Sequence, residues 1–454
     1  MSKITLLYPP QQTLPNHAPR PEAALAYPYL AGALLDAGHE VKIYDACVGN
    51  DSDLEDVFYR YVEMESGLRR HGVSDDRILE EVADSDVVGI TSIFTAQETM
   101  AVRTGELIKE HFPEKLLITG GTNARSRADV FVRAGFDVVC LGEAEYAIVH
   151  IANQPSASAW PYTFADDLDE LPIPAWHLHA NERYWSIGRP HGAPKQDGKP
   201  FRYAPLMTSR GCVFKCGYCH ISGENGIGRF RVKSTERVQS ELERLKELGV
   251  TEIFIEDDSL LAHKRRGMEL LRWIRGNGFR MWDINGINLS HLFRRGHPDT
   301  GLIGLLQECG FAAISLPVES GTQRIIDHYG SSKWRLDRCD VTALIHCLSD
   351  HGIAAGINYM IGFPDETIEE IQTTISLARE HMAAGAASAN FMLVIPLPGT
   401  ALHDEAIAKG YLDKDFDPDT FNWRQASMKN TTVPPEQLEA IQHEAWEELN
   451  GDGT

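Results

Sequence analysis

The chain is 454 residues long, and because a single hydrophobic core stops growing near roughly 250 to 300 residues, at least two folded units are expected. Hydrophobic residues make up 43% and charged residues 24%, which excludes an intrinsically disordered chain. Lys and Arg total 43 against 65 Asp and Glu, and the resulting net charge of -22 repels phosphate backbones and anionic lipid, so neither nucleic acid nor membrane is expected as a partner.

The opening MSKITLLYPP has no basic flank followed by an apolar segment and a small-residue cleavage site, and no run of about 18 apolar residues occurs anywhere, so a cytoplasmic location is expected. From residue 3 to about residue 150, apolar runs alternate with amphipathic stretches. KITLLY (Lys3 to Tyr8), EVKIYDA, VVGITSI (Val87 to Ile93), LLITGG (Leu116 to Gly121) and DVVCLGE (Asp137 to Glu143) read as strands. Helical patterns separate them, such as ALAYPYLAGALLDAG, which Gly38 stops. Such alternation implies a parallel, doubly wound sheet, whose ligands bind beyond the carboxyl ends of its strands. The candidate rim is Ser92 to Gln97, Gly120 to Asn123 and Gly142 to Glu143, although glycines there also serve simply to permit tight turns.

The pattern breaks between Ala152 and Pro200, a Pro-, Trp- and His-containing stretch that includes DLDELPIPAWHL and reads as a docking segment. Alternation then resumes, with strands at YAPLMTS, TEIFIED, FRMWDING, AAISLPVES, AAGINYMIGF and SANFMLVIP, and with helices such as RVQSELERLKEL, whose Val238, Leu242, Leu245 and Leu248 share a face. About six strand-helix units are fewer than the eight of a closed barrel, which leaves an open, partial barrel. A further helix follows Pro434-Pro435. The expected organisation is therefore a Rossmann-like domain over residues 1–152, a linker over 153–200, a partial six-unit (β/α) barrel over 201–412 and a small helical extension over 413–454.

Eight cysteines are present, and three of them, Cys212, Cys216 and Cys219, fall within SRGCVFKCGYCH on the loop after the barrel's first strand. Closely spaced thiolates bind soft metals: four would suggest structural zinc, whereas three leave a metal corner open, as an iron–sulfur cluster with an exchangeable ligand requires. Cys309 is the nearest other cysteine in sequence and lies at the end of a predicted helix, so no local fourth ligand is evident.

The CxxxCxxC spacing, with Tyr218 just before the last cysteine, resembles the radical S-adenosylmethionine (SAM) superfamily. That resemblance implies a 4Fe-4S cluster on Cys212, Cys216 and Cys219 whose remaining iron chelates SAM, and a 5'-deoxyadenosyl radical that abstracts hydrogen from substrate. It also implies SAM contacts at the strand ends: Tyr218, Glu256-Asp257-Asp258, Glu319-Ser320 in an ESG segment, Gly362 in IGFP, and Pro398 in PLPGT. With a doubly wound domain ahead of the core, and with GITSIF, ITGGTNAR, CLGEAE and PIPAWH in its text, the chain is similar to the cobalamin-dependent methylases of that superfamily, such as those acting on hydroxyethylphosphonate. By that resemblance Ser92, Thr95, Gln97, Gly120, Gly121, Thr122, Gly142 and Glu143 would contact cobalamin. No DxHxxG motif supplies a lower cobalt ligand, which implies a base-off cofactor, with Thr95 or Gln97 beneath the corrin.

The implied activity is methyl transfer from methylcobalamin to a carbon or phosphorus of a small molecule in natural-product biosynthesis. Its competitors are a rearrangement, cyclisation or oxygen insertion by the same cluster, and a non-enzymatic cluster or cobalamin carrier. Arg210, Lys215, Arg229, Arg231 and Lys233 form a basic island near the cysteines that would suit an acidic electron donor such as flavodoxin or ferredoxin, or an anionic substrate, and that reads equally well as a solvated surface strip. Trp282, Asn285, Asn288 and Tyr359 suit equally well a place in the core or in the lining of a substrate pocket.

Overall fold

In a computed structural model, residues 1–15, 17–19, 25–154, 164–188, 201–221 and 229–451 are described. The chain forms two compact units, residues 1–202 with 241–249, and residues 203–240 with 250–454. Parts of the expected linker, residues 155–163 and 189–200, lie outside the described residues.

The first unit is built on five parallel strands: β1 (Lys3–Tyr8), β2 (Glu40–Asp45), β3 (Val87–Thr91), β4 (Leu116–Gly120) and β5 (Val138–Val139). Their spatial order is β2-β1-β3-β4-β5. Helices cover both faces. On one, α1 (Ala26–Asp36) packs with α4 (Ala144–Asn153). On the other, α2 (Asp75–Val82) and α3 (Glu98–His111) bury Ile78, Val82, Ala101 and Ile108 against Leu7, Val88, Ile90 and Leu117. Because the order reverses at β1, the connections from β1 and β3 leave in opposite directions and open a crevice between the carboxyl ends of those strands.

The PIPAWH segment docks on α1. Ala175 N donates to Pro28 O at 2.7 Å, and a Cβ on Gly32 would lie 2.4 Å from Ile173 O, so only glycine permits that approach. Alternation did not signal the three-stranded antiparallel ribbon of Gln11–Thr13, Arg69–His71 and Tyr61–Glu63, whose strands are only three residues long.

The second unit contains six parallel strands in chain order, β6 (Tyr203–Leu206), β7 (Glu252–Ile255), β8 (Arg280–Asp283), β9 (Phe311–Glu319), β10 (Ala354–Ile361) and β11 (Ser388–Leu393). Helices α5 (Thr235–Glu247, of which residues 241–247 count with the first unit), α6 (Lys264–Ile274), α7 (Thr300–Glu308), α8 (Val341–Asp350) and α9 (Ile368–Ala383) alternate with them in sequence, and α10 (Ala401–Ala408) follows the last. Val238, Leu242 and Leu245 of α5 are buried, as their shared face predicts, whereas Leu248, expected on the same face, lies just past the helix and is half-buried. The result is the partial barrel expected from the count of units.

Along β10 and β11 burial alternates. Ile357, Tyr359, Phe391 and Leu393 are buried on the helix side, while Asn358, Met360, Asn390 and Met392 stand half-buried on the other. The last strand is closed off by α11 (Pro435–Asn450), with Pro435 at its first position. Gln442 Nε2 donates to Phe391 O at 2.9 Å. Asn450 donates Nδ2 to Ala389 O at 2.8 Å and accepts from Ala389 N at 3.0 Å. No described helix is long and apolar enough to cross a membrane.

Candidate functional site

The three-cysteine loop leaves the carboxyl end of β6 and is held from three directions. Behind it, Asp258 at the end of β7 accepts Gly211 N at 2.8 Å. On one flank Tyr329 O accepts Gly217 N at 2.8 Å, Ser331 Oγ accepts Lys215 N at 3.2 Å, and Gly330 O stands 3.5 Å from Cys216 Sγ. Opposite, in the PLPGT turn, Pro398 O accepts His220 Nε2 at 2.8 Å, and Gly217 O accepts Leu402 N at 2.8 Å. A loop without regular structure is thereby fixed at both its amide and carbonyl groups, as a ligand-bearing loop must be.

Cys216 is buried, and Cys212 and Cys219 are partly exposed. Burial pushes the Cys216 thiol up to about 12 and the Cys219 thiol up to about 11, while the Lys333 ammonium pulls both the other way. Among the described residues no three His, Cys, Asp or Glu side chains are gathered closely enough to hold a single metal ion. Three thiols carried on one clamped loop are a donor set that fits a four-iron cluster with one iron left to another ligand. Cys309 is no fourth ligand: it ends α7 with its Sγ 2.9 Å from Leu271 O.

The expected SAM contacts divide by geometry. Asp257 is buried and its carboxylate is fully engaged, accepting Thr208 N and the Thr208 and Ser209 hydroxyls, the latter two at 2.6 Å. It braces the strand that launches the cysteine loop. Asp258 reaches that loop directly, and burial pushes its carboxyl up to about 6 despite the Gly211 amide. Asn285 Nδ2 donates to the backbone carbonyl of Glu256 at 2.9 Å.

Glu319 ends β9 at φ 65°, a left-handed conformation, and forms an ion pair with Lys333. Ser320 is fully buried, its Oγ accepting Thr322 N at 3.1 Å. Tyr218 packs its ring on Phe363 at 5.8 Å, beside Gly362. Gly362 at φ 87° donates its N–H to Glu366 Oε2 at 2.7 Å, and Phe363 N follows at 3.2 Å. Glu366 and Lys333 are site residues that the sequence reading missed. The only available signals were an acidic residue four positions after Gly362 and a lysine fourteen after Glu319.

One expectation is corrected, and one alternative left open by the sequence is resolved. Arg210, Arg231 and Lys233 are at most 8% exposed, so the basic island is mostly interior, and only Lys215 and Arg229 present charge to solvent. Among the candidate substrate contacts, Trp282 donates Nε1 to Glu252 Oε2 at 2.7 Å and stacks on Phe254, and Tyr359 is buried on the helix side with its hydroxyl 2.7 Å from His381 Nδ1. Asn288 caps a short helix by accepting Ser290 N at 3.0 Å. These three are packing and capping residues, whereas Asn358 and Asn390, joined at 3.0 Å, occupy the opposite face.

In the first unit, Ser92, Thr95, Gln97, Gly121 and Asn123 gather where β3 and β4 end. Ser92 Oγ accepts Asn123 Nδ2 at 2.9 Å, and Gly121, at φ 105°, has no room for a Cβ, which would lie 2.5 Å from Ser92 O. Gln97 Oε1 accepts Ile93 N at 3.1 Å while its Nε2 donates to Tyr8 OH at 2.7 Å, so this amide is committed to fixing its own turn against β1. Thr122 opens a short helix (Thr122–Ser126) after Gly120 and Gly121, and Gly142 and Glu143 precede α4 with Glu143 Oε2 accepting Ala165 N at 2.8 Å. Three buried polar atoms at or beside this rim, Thr95 Oγ1, Thr119 Oγ1 and Asn123 Oδ1, have no hydrogen-bond partner. Orphaned acceptors and hydroxyls at the crevice fit a polar-edged ligand such as the corrin with its amide side chains.

The Radical SAM superfamily model matches residues 206–378, and the B12 binding domain model matches residues 18–152. The chain is 28% identical to cytidylyl-2-hydroxyethylphosphonate methyltransferase of Streptomyces wedmorensis, over 91% of this chain and 83% of that protein. Its fold is similar to the radical SAM methyltransferase TsrM of Kitasatospora setae, solved with tryptophan substrate and a SAM analog, with a TM-score of 0.65, 17% identity, and coverage of 90% of this chain and 76% of that one. TsrM with cobalamin and a [4Fe-4S] cluster bound gives a TM-score of 0.63 at 19% identity, covering 90% and 78%.

Proposed function

This chain belongs to the radical SAM superfamily, as a cobalamin-dependent methyltransferase with a B12 binding domain ahead of the radical SAM core, and from that premise we propose that it methylates a carbon or phosphorus of a small molecule in natural-product biosynthesis. When bound, the cluster supplies the electron that cleaves SAM to a 5'-deoxyadenosyl radical, and cobalamin carries the methyl group. The observation that carries this reading is the three-cysteine loop clamped at the carboxyl end of β6, with too few thiols to saturate a four-iron cluster.

The chain's own residues bind and orient. Cys212, Cys216 and Cys219 hold the cluster. Asp257 fixes the strand end and Asp258 the loop's entry. Tyr218, Glu256, Glu319, Ser320, Gly362 and Pro398 outline the SAM site, where the half-buried Tyr218 ring packs on the buried Phe363 beside the cysteine loop. Ser92, Thr95, Thr119, Gly121 and Asn123 receive cobalamin. Of Thr95 and Gln97, Thr95 is the residue that would be available to cobalamin, because its hydroxyl has no hydrogen-bond partner while the Gln97 amide is engaged.

The names of the relatives support a small-molecule substrate, and the net charge of -22 disfavours nucleic acid. Lys215 and Arg229 are the exposed cations left to attract an acidic donor such as flavodoxin or ferredoxin, and we place the reaction in the cytoplasm. Anaerobic purification with cobalamin supplied tests the assignment. A corrin band retained at one equivalent, together with a cluster spectrum that changes on adding SAM, is expected. A SAM-responsive cluster without retained corrin moves the enzyme to non-methylating radical chemistry, and a SAM-indifferent cluster makes it an electron carrier.

A further inference from the structure

The segment that clasps the cysteine loop is itself under backbone strain. Of the five described non-glycine residues at positive φ, three meet here: Glu319 at 65°, Ser331 at 59° and Ser332 at 48°. Non-glycine residues in this region each cost about 1 to 3 kcal/mol and persist only where the surroundings hold them. Here the strain delivers one side chain. After Gly330 and the two left-handed serines, Lys333 turns inward and ion-pairs with Glu319, the two side chains only 11% and 10% exposed. Gly330 is required by the same packing, since a Cβ there would lie 2.8 Å from Ile326 O and 3.3 Å from Glu319 Oε2.

The Lys333 ammonium lies within electrostatic reach of both the Cys216 and Cys219 thiols, and so does Glu319 with respect to Cys216. The fold thus places one positive and one negative charge, both withdrawn from solvent, beside two of the three cluster ligands. Reducing a cluster adds one negative charge to it, and charges in a low-dielectric setting act on that step more strongly than they do in water. A simple surface ion pair would have no such effect, because screening removes it.

Resting on the reading of Cys212, Cys216 and Cys219 as cluster ligands, we infer that Lys333 and Glu319 are an opposed charge pair that sets the cluster's reduction potential, the lysine raising it and the glutamate lowering it. The two members predict shifts of opposite sign, which a merely structural role does not. The test is an anaerobic redox titration of the reconstituted enzyme without SAM, followed by the EPR signal of the reduced cluster, after iron content has been matched to wild type.

Lys333→Met is expected to lower the reduction equilibrium constant about tenfold, or about 59 mV for one electron. Glu319→Gln is expected to raise it by a similar factor. The double variant returns to within about threefold of wild type, and Lys333→Arg keeps the wild-type value. Two single variants shifting in the same direction, or neither moving beyond threefold, overturn the inference while leaving the cluster assignment intact. A wild-type protein that assembles no cluster overturns that assignment, and the inference with it. Should Lys333→Met not fold, Glu319→Gln alone decides by its sign.

Discussion

Glu366 offers a direct measurement of how much the IGFP turn depends on a buried, protonated carboxyl. It is fully buried, its Oε2 accepts the amides of Gly362 and Phe363, and its Oε1 has no partner. Burial pushes this carboxyl from its ordinary 4.5 up to about 8, against the pull of the two amides. A raised carboxyl pKa means that the folded state binds the proton more tightly than the unfolded chain. Its contribution is therefore fully present below about pH 4.5 and is lost as pH rises through about 8.

At about 1.4 kcal/mol per pH unit, a displacement of roughly 3.5 units has an upper bound of about 5 kcal/mol, and relaxation around the charge brings the expected loss to about 2 to 4 kcal/mol. Glu366→Gln keeps an acceptor for the two amides and cannot ionise. Urea midpoints measured at half-unit steps from about pH 5 to pH 8.5 should fall for both proteins, because burial also pushes Asp283 up to about 8, but should fall less steeply for the variant by the share that belongs to Glu366. Parallel curves for the two proteins would refute the reasoning, because the decline would then belong to other groups.

Replacing any one of Cys212, Cys216 or Cys219 by Ala should leave less than about a tenth of the iron and cut turnover at least a hundredfold, read by iron analysis and product formation. Asp257→Asn turns an amide N–H toward one of three donors and should cost about 2 to 4 kcal/mol by urea unfolding, a larger loss than an exposed carboxylate would give. Gly121→Ala places a Cβ against Ser92 O at a left-handed φ; a destabilisation of about 1 to 3 kcal/mol and reduced retention of the corrin band are expected. Thr95→Val removes an unpartnered hydroxyl, so stability should change by less than about 1 kcal/mol while cobalamin retention falls, a split measured by melting and by visible absorbance.

The strands were legible because their residues are apolar and β-branched in runs bounded by turn residues, a local signal that survives without tertiary information. The cysteine loop was legible for the same reason, since its three ligands lie within eight residues. Contacts made across the fold were not. Lys333 reaches Glu319 only because Ser331 and Ser332 adopt a conformation that serine seldom takes. The basic island looked superficial because Arg231 and Lys233 are charged, yet both are interior, Arg231 paired backbone to backbone opposite Arg210 and Lys233 held by Thr208 O and Arg266. Tyr359 and Asn358 are neighbours in sequence, and the two-residue period of β10 sends them to opposite faces. Composition alone does not reveal which of the two faces the helices.

The amides of Gln442 and Asn450 have a consequence beyond holding α11. A terminal parallel strand ordinarily offers free N–H and C=O groups on which another chain can polymerise, and on β11 both groups of Ala389 and the carbonyl of Phe391 are already occupied, while Leu393 N is taken by Trp423 O. With six strands the sheet stays open, and these side chains cap its last edge. The enzyme can thus retain a permanently incomplete wall without the tendency to form fibrils or exchange strands that such a wall would otherwise bring.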